Sequence, residues 1–317
     1  MTTLARTTED DAATSTGERT MFGKVCVVTG ATNGIGQATA IGLARRGALV
    51  VLVVRNAEKA GKVVAEIAAI PGTSRAEVVL ADLTEMHQVR RAADEISSRF
   101  DHVDVLVNNA GGMFDTHHQS SDGIEDAYAV NHLAVFLLTL ALHPSLKRAS
   151  EPRVVIVSSN IHEKATYVRD YGALLAPKYA WSKIYAQTKL RNVIFAQALS
   201  ERWKADGITV NSLHPGVVDT GLMSGWENRA MKVFFGIVQR FFMSPEQGAR
   251  TSIFLASSTS VGGVSGRYFS KCEVHPHNPA ADDIATQAQL WEESMGFLRK
   301  AGIDLSLAGE PQLVAGR

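Results

Sequence analysis

Residues 24–47 read KVCVVTGATNGIGQATAIGLARRG, and this stretch decides the fold. Residues 25–29 are apolar on nearly every position, as in a strand covered on both faces, and Cys26 within them reads as a small buried hydrophobe. Gly30, Gly34 and Gly36 follow, and a helical pattern is expected over 36–46. A strand must therefore turn sharply and enter a helix. Glycine lets the backbone approach a pyrophosphate with no Cβ in the way. The free N–H groups and the dipole at the helix start then favour the anion. A bland turn is the competing reading of the glycines on their own.

The same alternation continues outward. Strand-like runs stand at 49–54, 77–80, 103–107, 154–158, 209–213 and 267–269, and helices are expected over 57–70, 85–100, 122–147 and 184–205. Alternating strands and helices, with strands apolar on consecutive positions, imply an α/β fold: a single doubly wound, Rossmann-like parallel sheet with helices on both faces. Right-handed crossovers place ligands at the carboxyl ends of the strands. No repeat or composition break calls for a second domain. The expected organisation is an arm over 1–20, one nucleotide-binding domain over 21–305 and a tail over 306–317. Residues 161–180 and 223–243 read as insertions, and 280–300 as a late helix after a proline-containing turn at 275–279.

The 317 residues are 45% hydrophobic and 20% charged, ordinary for a globular chain, and Lys plus Arg equal Asp plus Glu at 32 each. A neutral balance gives no support for nucleic-acid binding, which needs a basic face. Residues 1–20 are polar and mixed in charge with no signal-like apolar core, and no stretch reaches the length of a membrane span. The cytoplasm is the expected location. Cys26 and Cys272 make neither a disulfide framework nor a metal set. His117 and His118, and His275 and His277 beside Cys272 and Glu273, match no standard zinc spacing; they read as solvated loop histidines, and no metal is expected.

The glycine spacing is T-G-x-x-x-G-x-G rather than G-x-G-x-x-G. Asn108-Asn109-Ala110-Gly111 follows the fourth strand, and Ser159, Tyr185 and Lys189 come after it in that order. This ordered set resembles the short-chain dehydrogenase/reductase family over residues 23–269. The run Lys189-Leu190-Arg191-Asn192-Val193-Ile194-Phe195 resembles the K-L-x-N-x-x-F of its retinol-dehydrogenase-like members. The resemblance implies a nicotinamide cofactor cradled by Gly30, Thr32, Asn33, Gly34, Ile35 and Gly36. It further implies Asp82 and Leu83 beside the adenine, Asn109, Ala110 and Gly111 along the groove, and Pro215, Gly216, Val218 and Thr220 near the nicotinamide. A homodimer is the assembly expected from the resemblance.

Cofactor choice can be read from the second strand. NAD-binding folds usually place an acid about 20 residues after the glycine turn to hold the ribose hydroxyls. Here that zone offers Val54 and Arg55 and no acid. A carboxylate would repel a 2′-phosphate, whereas Arg pairs with one bidentately. NADP(H) is therefore the expected cofactor, with a solvated surface arginine as the competing reading of Arg55.

Hydride transfer at a carbonyl needs a proton donor beside the oxygen. A free phenol, with pKa about 10, is a poor acid–base group at neutral pH, and a nearby ammonium lowers that value. Tyr and Lys four apart on a helix share a face. The sequence offers this pair twice, as Tyr179/Lys183 and Tyr185/Lys189. A step of six positions turns the second pair by roughly 240° from the first, which argues against joint use. The K-L-x-N-x-x-F context and the following Leu213-His214-Pro215-Gly216 select Tyr185 and Lys189. Tyr179 and Lys183 then fall to the entry loop or helix start. Alternation along the fifth strand lets one of Ser158 and Ser159 face the site, and the resemblance selects Ser159. Asn131 stands at the start of an apolar helical run, where Asn is a mediocre former; a local hydrogen-bonding role competes with its implied place as a fourth catalytic member that supports Lys189.

Residues 231–243 are apolar and aromatic and follow the loop after the sixth strand, where the family places a substrate lid. An apolar lid points to a small but bulky hydrophobic carbonyl or alcohol substrate; core packing, an oligomer contact or a membrane-surface contact compete. Two other functions are weighed. Sugar-nucleotide-modifying members usually show T-G-x-x-G-x-x-G, which this chain lacks. A non-catalytic sensor or scaffold can lose the Tyr or Lys, which this chain keeps.

Overall fold

The computed structural model describes residues 20–72, 75–175, 178–218 and 243–305. Three β–α units and a fourth strand open the chain: β1 (Val25–Thr29), α1 (Gly34–Arg45), β2 (Leu49–Val54), α2 (Ala57–Ala68), β3 (Ala76–Leu80), α3 (Met86–Arg99) and β4 (Val105–Asn108). A broken helical stretch leads to β5 (Arg153–Val157), then α7 (Trp181–Arg202), β6 (Thr209–His214), α8 (Pro245–Ser257), β7 (Tyr268–Ser270), β8 (Glu273–His275) and α9 (Ile284–Lys300). The strands form one sheet in the order β3-β2-β1-β4-β5-β6-β7-β8, parallel throughout except for the last pair. The order reverses between β1 and β4, which is where a doubly wound sheet opens its crevice.

The consecutive apolar residues are explained by what covers each face. Val27, Val51, Leu106 and Val154 point into a core built with α3, α7 and α9. Their neighbours Val28, Leu52, Val107 and Val155 point to the opposite core with α1 and α2, and Cys26 is fully buried there. Two-sided burial, not alternation, is what a covered parallel strand requires.

One expectation is corrected. The single helix expected over 122–147 is broken into α4 (Asp126–Tyr128), a π-helical turn (Ala129–Leu133), α5 (Ala134–Ala141) and α6 (His143–Lys147). Asn131 sits in the π turn, where the extra residue lets it bond across to another loop. The expected insertion over 161–180 contains the 3₁₀ turns Asn160–Lys164 and Gly172–Leu174. The structure adds elements the pattern did not reveal: β8, antiparallel to β7, and α8, which packs on α1. Ser244 and Gln247 form a reciprocal capping box at the start of α8. Residues 223–242, with Thr220, lie outside the described residues. The chain returns at Met243, whose N–H donates to Val217 O at 2.9 Å. No helix among the described residues is long and apolar enough to cross a membrane.

Candidate active site

The turn after β1 is held by close backbone approach. Gly30 has φ +68°, and a Cβ on it would meet Ala110 Cα at 2.9 Å. A Cβ on Gly36 would lie 2.3 Å from Asn109 Nδ2 and 2.4 Å from Gly30 O. Thr29 ties the two segments together: its Oγ1 accepts from the N–H groups of Asn109 (3.0 Å) and Ala110 (2.9 Å). The Asn109 amide in turn donates to Thr29 O at 2.9 Å. At the start of α1, Asn33 makes no side-chain capping bond, so the first-turn N–H groups are left for a ligand.

One groove brings these residues together with the later motifs. Gly30, Asn33, Ile35 and Gly36 line it from the turn, Asn109, Ala110 and Gly111 from the end of β4, Tyr185 and Lys189 from α7, and Pro215 and Val218 from the loop after β6. Val157, not singled out from the sequence, lines it as well, and so does Ser158, the serine set aside in favour of Ser159, which is not among the lining residues. Arg55 is exposed just past β2, and Thr32 is half-buried in the turn. Asp82 is half-buried and spends its Oδ1 on Thr84, accepting from N (3.0 Å) and Oγ1 (2.8 Å); Leu83 packs against the core.

Tyr185 and Lys189 are both buried on α7, at 8% and 3% exposure. The Lys189 ammonium lies 5.6 Å from the centre of the Tyr185 ring and donates to Val157 O at 3.1 Å. Gly111 makes room for it, since a Cβ there would stand 3.1 Å from Lys189 Nζ and 3.0 Å from Asn131 Oδ1. Asn131 is pinned on both sides. Its Oδ1 accepts from Gly112 N at 2.8 Å, its Nδ2 donates to Gly112 O at 2.9 Å, and its main-chain oxygen accepts from Asn192 Nδ2 at 2.8 Å. The two serines part as alternation requires. Ser158 donates to Lys189 O at 2.8 Å, while the Ser159 hydroxyl accepts from Ile161 N at 3.5 Å and favours the ionised form of Tyr185.

The electrostatics correct one expectation. The Tyr185 phenol is not acidified in this structure: burial pushes it up to about 12, opposed by the Ser159 hydroxyl. Burial also pulls Lys189 down to about 8. Desolvation disfavours the charged form of each, and at 5.6 Å across a ring the ammonium does not overcome it. At neutral pH the pair is thus a neutral phenol beside an ammonium, the state from which a proton can be given to an oxygen.

The other tyrosine is elsewhere. Tyr179 donates to Glu125 Oε1 at 2.8 Å and stacks on His117, and Lys183 is exposed in the first turn of α7. Glu125 also accepts from Tyr171 OH (2.7 Å) and from the N–H groups of Ala127 and Tyr128, a buried hub that no local spacing announced. His277 is bonded to Asp282 and Gln197. Among the described residues, no group of three or more His, Cys, Asp or Glu could hold a metal ion.

The donor set fits a dinucleotide: a glycine cradle that a Cβ would fill, an uncapped helix start for phosphate, and a buried ammonium beside a phenol. Comparisons with known proteins agree. The family model for short chain dehydrogenases matches residues 24–230. Retinol dehydrogenase 14 of Homo sapiens is 37% identical over 289 residues, covering 86% of this chain and 86% of its own length. A crystal structure of an uncharacterized protein from Mycobacterium Paratuberculosis superposes with a TM-score of 0.70 at 28% identity, over 90% of this chain and 95% of that one. A structure from Beutenbergia cavernae, described as an NAD(P)-dependent gluconate 5-dehydrogenase with NADP bound at low occupancy, superposes at 0.64 and 26% identity, over 80% of this chain and 97% of that one.

Proposed function

The chain belongs to the short-chain dehydrogenase family and is retinol-dehydrogenase-like, and on that premise we propose that it is an NADP(H)-dependent enzyme interconverting alcohols with aldehydes or ketones. The observation that carries the reading is the buried Tyr185–Lys189 pair, one helical turn apart, in the same groove as the glycine turn.

The turn from Gly30 to Gly36, with Thr32, Asn33, Gly34 and Ile35, would hold the pyrophosphate, and Arg55 the 2′-phosphate. Asp82 and Leu83 would flank the adenine. Asn109, Ala110 and Gly111 would line the path, with Pro215, Gly216, Val218 and Thr220 near the nicotinamide. The bound nicotinamide supplies or takes up the hydride. The remaining work falls to the chain. Tyr185 holds a proton at its phenol oxygen and delivers it to the carbonyl oxygen in reduction, or accepts it in oxidation. Ser159, whose hydroxyl favours the ionised form of Tyr185, orients the substrate oxygen. Lys189 sets positive charge beside the phenol and binds the ribose, and Asn131 fixes the loop that Lys189 faces.

The apolar composition of 231–243 and the retinol dehydrogenases among the relatives support a bulky hydrophobic substrate. Family resemblance supports a homodimer. The single sheet supports one domain over 21–305 with flanking segments 1–20 and 306–317. The test is NADPH oxidation against a panel of aldehydes and ketones graded in apolar bulk. Substrate-dependent turnover rising with bulk is expected. NADPH binding with no turnover across the panel would favour a sensor or scaffold.

A further inference from the structure

The π turn that carries Asn131 is clasped from outside its own helix. Asn131 O accepts from Asn192 Nδ2 at 2.8 Å. The other end of that amide, Oδ1, lies 3.2 Å from Nδ1 of His132, the next residue of the turn. One amide of α7 is thus held by two consecutive residues of the π turn. The second ring nitrogen, His132 Nε2, lies 2.9 Å from Ser294 Oγ on α9. Asn131, His132, Asn192 and Ser294 are all buried.

These contacts run in one direction. The Asn131 carbonyl can only accept, so Asn192 turns its Nδ2 toward it and its Oδ1 toward His132. Oδ1 can also only accept, so the proton of the neutral ring belongs on Nδ1; the other tautomer would set a lone pair against Oδ1 at 3.2 Å. Nε2 then accepts from Ser294, whose other acceptor, Leu290 O at 2.8 Å, is in its own helix. Burial, with the Arg191 guanidinium adding to it, pulls His132 down to about 3 and keeps the ring neutral. The rings of Tyr128, Phe136 and Phe195 pack around the imidazole.

The Asn131 side chain leads from this clasp to the reacting pair. It holds both main-chain groups of Gly112, and its Nδ2 also donates to Thr188 Oγ1 at 3.3 Å. The Thr188 hydroxyl donates in turn to Tyr185 O at 2.9 Å. Asn131 Oδ1 and Lys189 Nζ flank the gap that Gly111 leaves open, so a displaced turn moves one wall of the space beside the ammonium. We propose that His132 is a positioning residue for the reaction: its Nδ1–H orients the Asn192 amide that holds the π turn, and the turn sets where Asn131 stands against Gly111 and Lys189. The inference rests on the reading of Asn131 and Lys189 as members of the site.

Replacements at His132 separate the two nitrogens. Asn places an amide N–H near the position of Nδ1, and Gln places its polar end near Nε2. Both variants lose the ring, so the difference between them reports the nitrogen. With NADPH and a hydrophobic aldehyde, H132Q is expected to lose roughly 10- to 100-fold in kcat, the scale of a small displacement of a positioned group, with NADPH affinity unchanged. H132N is expected to recover most of that loss. In an N131A background, adding H132Q should cost little further turnover, because both changes act through one side chain and are strongly non-additive. Wild-type kcat in H132Q, an equal loss in H132N, or a full additional loss in the N131A background would each overturn the proposal. Should H132Q fold poorly, N192S removes the amide itself and should show the same loss, again suppressed in N131A. Full turnover in N131A alone would instead remove the role given to Asn131, and is recognised without any change at His132.

Discussion

The ammonium of Lys189 stands 5.6 Å from the centre of the Tyr185 ring, with its own hydrogen bond going to Val157 O rather than to the phenol. It is therefore a charge beside the phenol and not its direct partner. Both groups are buried, and burial moves them in opposite directions, the phenol up to about 12 and the lysine down to about 8.

That lysine value sets a pH dependence. The charged form is present below about 8 and is lost as pH rises through it, so the reduction rate should fall along an alkaline limb centred there. Stability runs the other way. Between about 8 and the ordinary 10.5 the unfolded chain holds a proton at this lysine that the folded chain has released, so wild type gains stability with rising pH across that window. K189M should lack both trends, as read by pH–rate profiles and urea melts. An unchanged alkaline limb in turnover by K189M would contradict the assignment.

Arg55 is exposed at the end of β2 with no acid beside it in the strand. A hydrogen bond to a charged group contributes about 1.5–3 kcal/mol. R55A should weaken NADPH binding by roughly 10- to 100-fold on that basis and leave NADH nearly unaffected. Fluorescence titration with both dinucleotides checks this, and equal weakening of the two would contradict the 2′-phosphate role.

What the sequence made legible, and what it did not, follows from range. The glycine turn is local chemistry, so Gly30 and Gly36 could be read where they stand. The strands could be read because two-sided burial writes a continuous apolar run. The π turn at Ala129–Leu133 could not, because it is imposed by the bonds of Asn131 to Gly112 and Asn192. The Y-x-x-x-K spacing predicts that the two side chains share a face, but it carries no information on burial, and burial reversed the expected shift at Tyr185. His132 and Ser294 are 162 positions apart and leave no joint signal. The helix α8 went unread because its apolar stripe is weak, although Ser244, Pro245 and Gln247 stand at its start.

A second long-range tie governs stability. Arg191 is fully buried on α7, its Nε 3.1 Å from Glu293 Oε2 on α9, and its guanidinium lies over the rings of Tyr128, Tyr167 and Tyr171. Glu293 also accepts from Tyr171 N at 3.0 Å. Removing one partner leaves a buried charge unpaired, which costs about 3–5 kcal/mol. E293A should lose stability on that scale in denaturant melts, while replacing Glu58 of the exposed Lys62–Glu58 pair should cost under about 1 kcal/mol. Similar midpoints for the two variants would contradict the role of the buried pair.

The most direct test of the account replaces each tyrosine in turn. With NADPH and a hydrophobic aldehyde, Y185F should lose roughly 10²–10⁴-fold in kcat, the range of a lost general acid, while still binding NADPH. Y179F, whose hydroxyl goes to Glu125, should keep its turnover. Loss of turnover in Y179F with activity retained in Y185F would contradict the assignment of the proton donor.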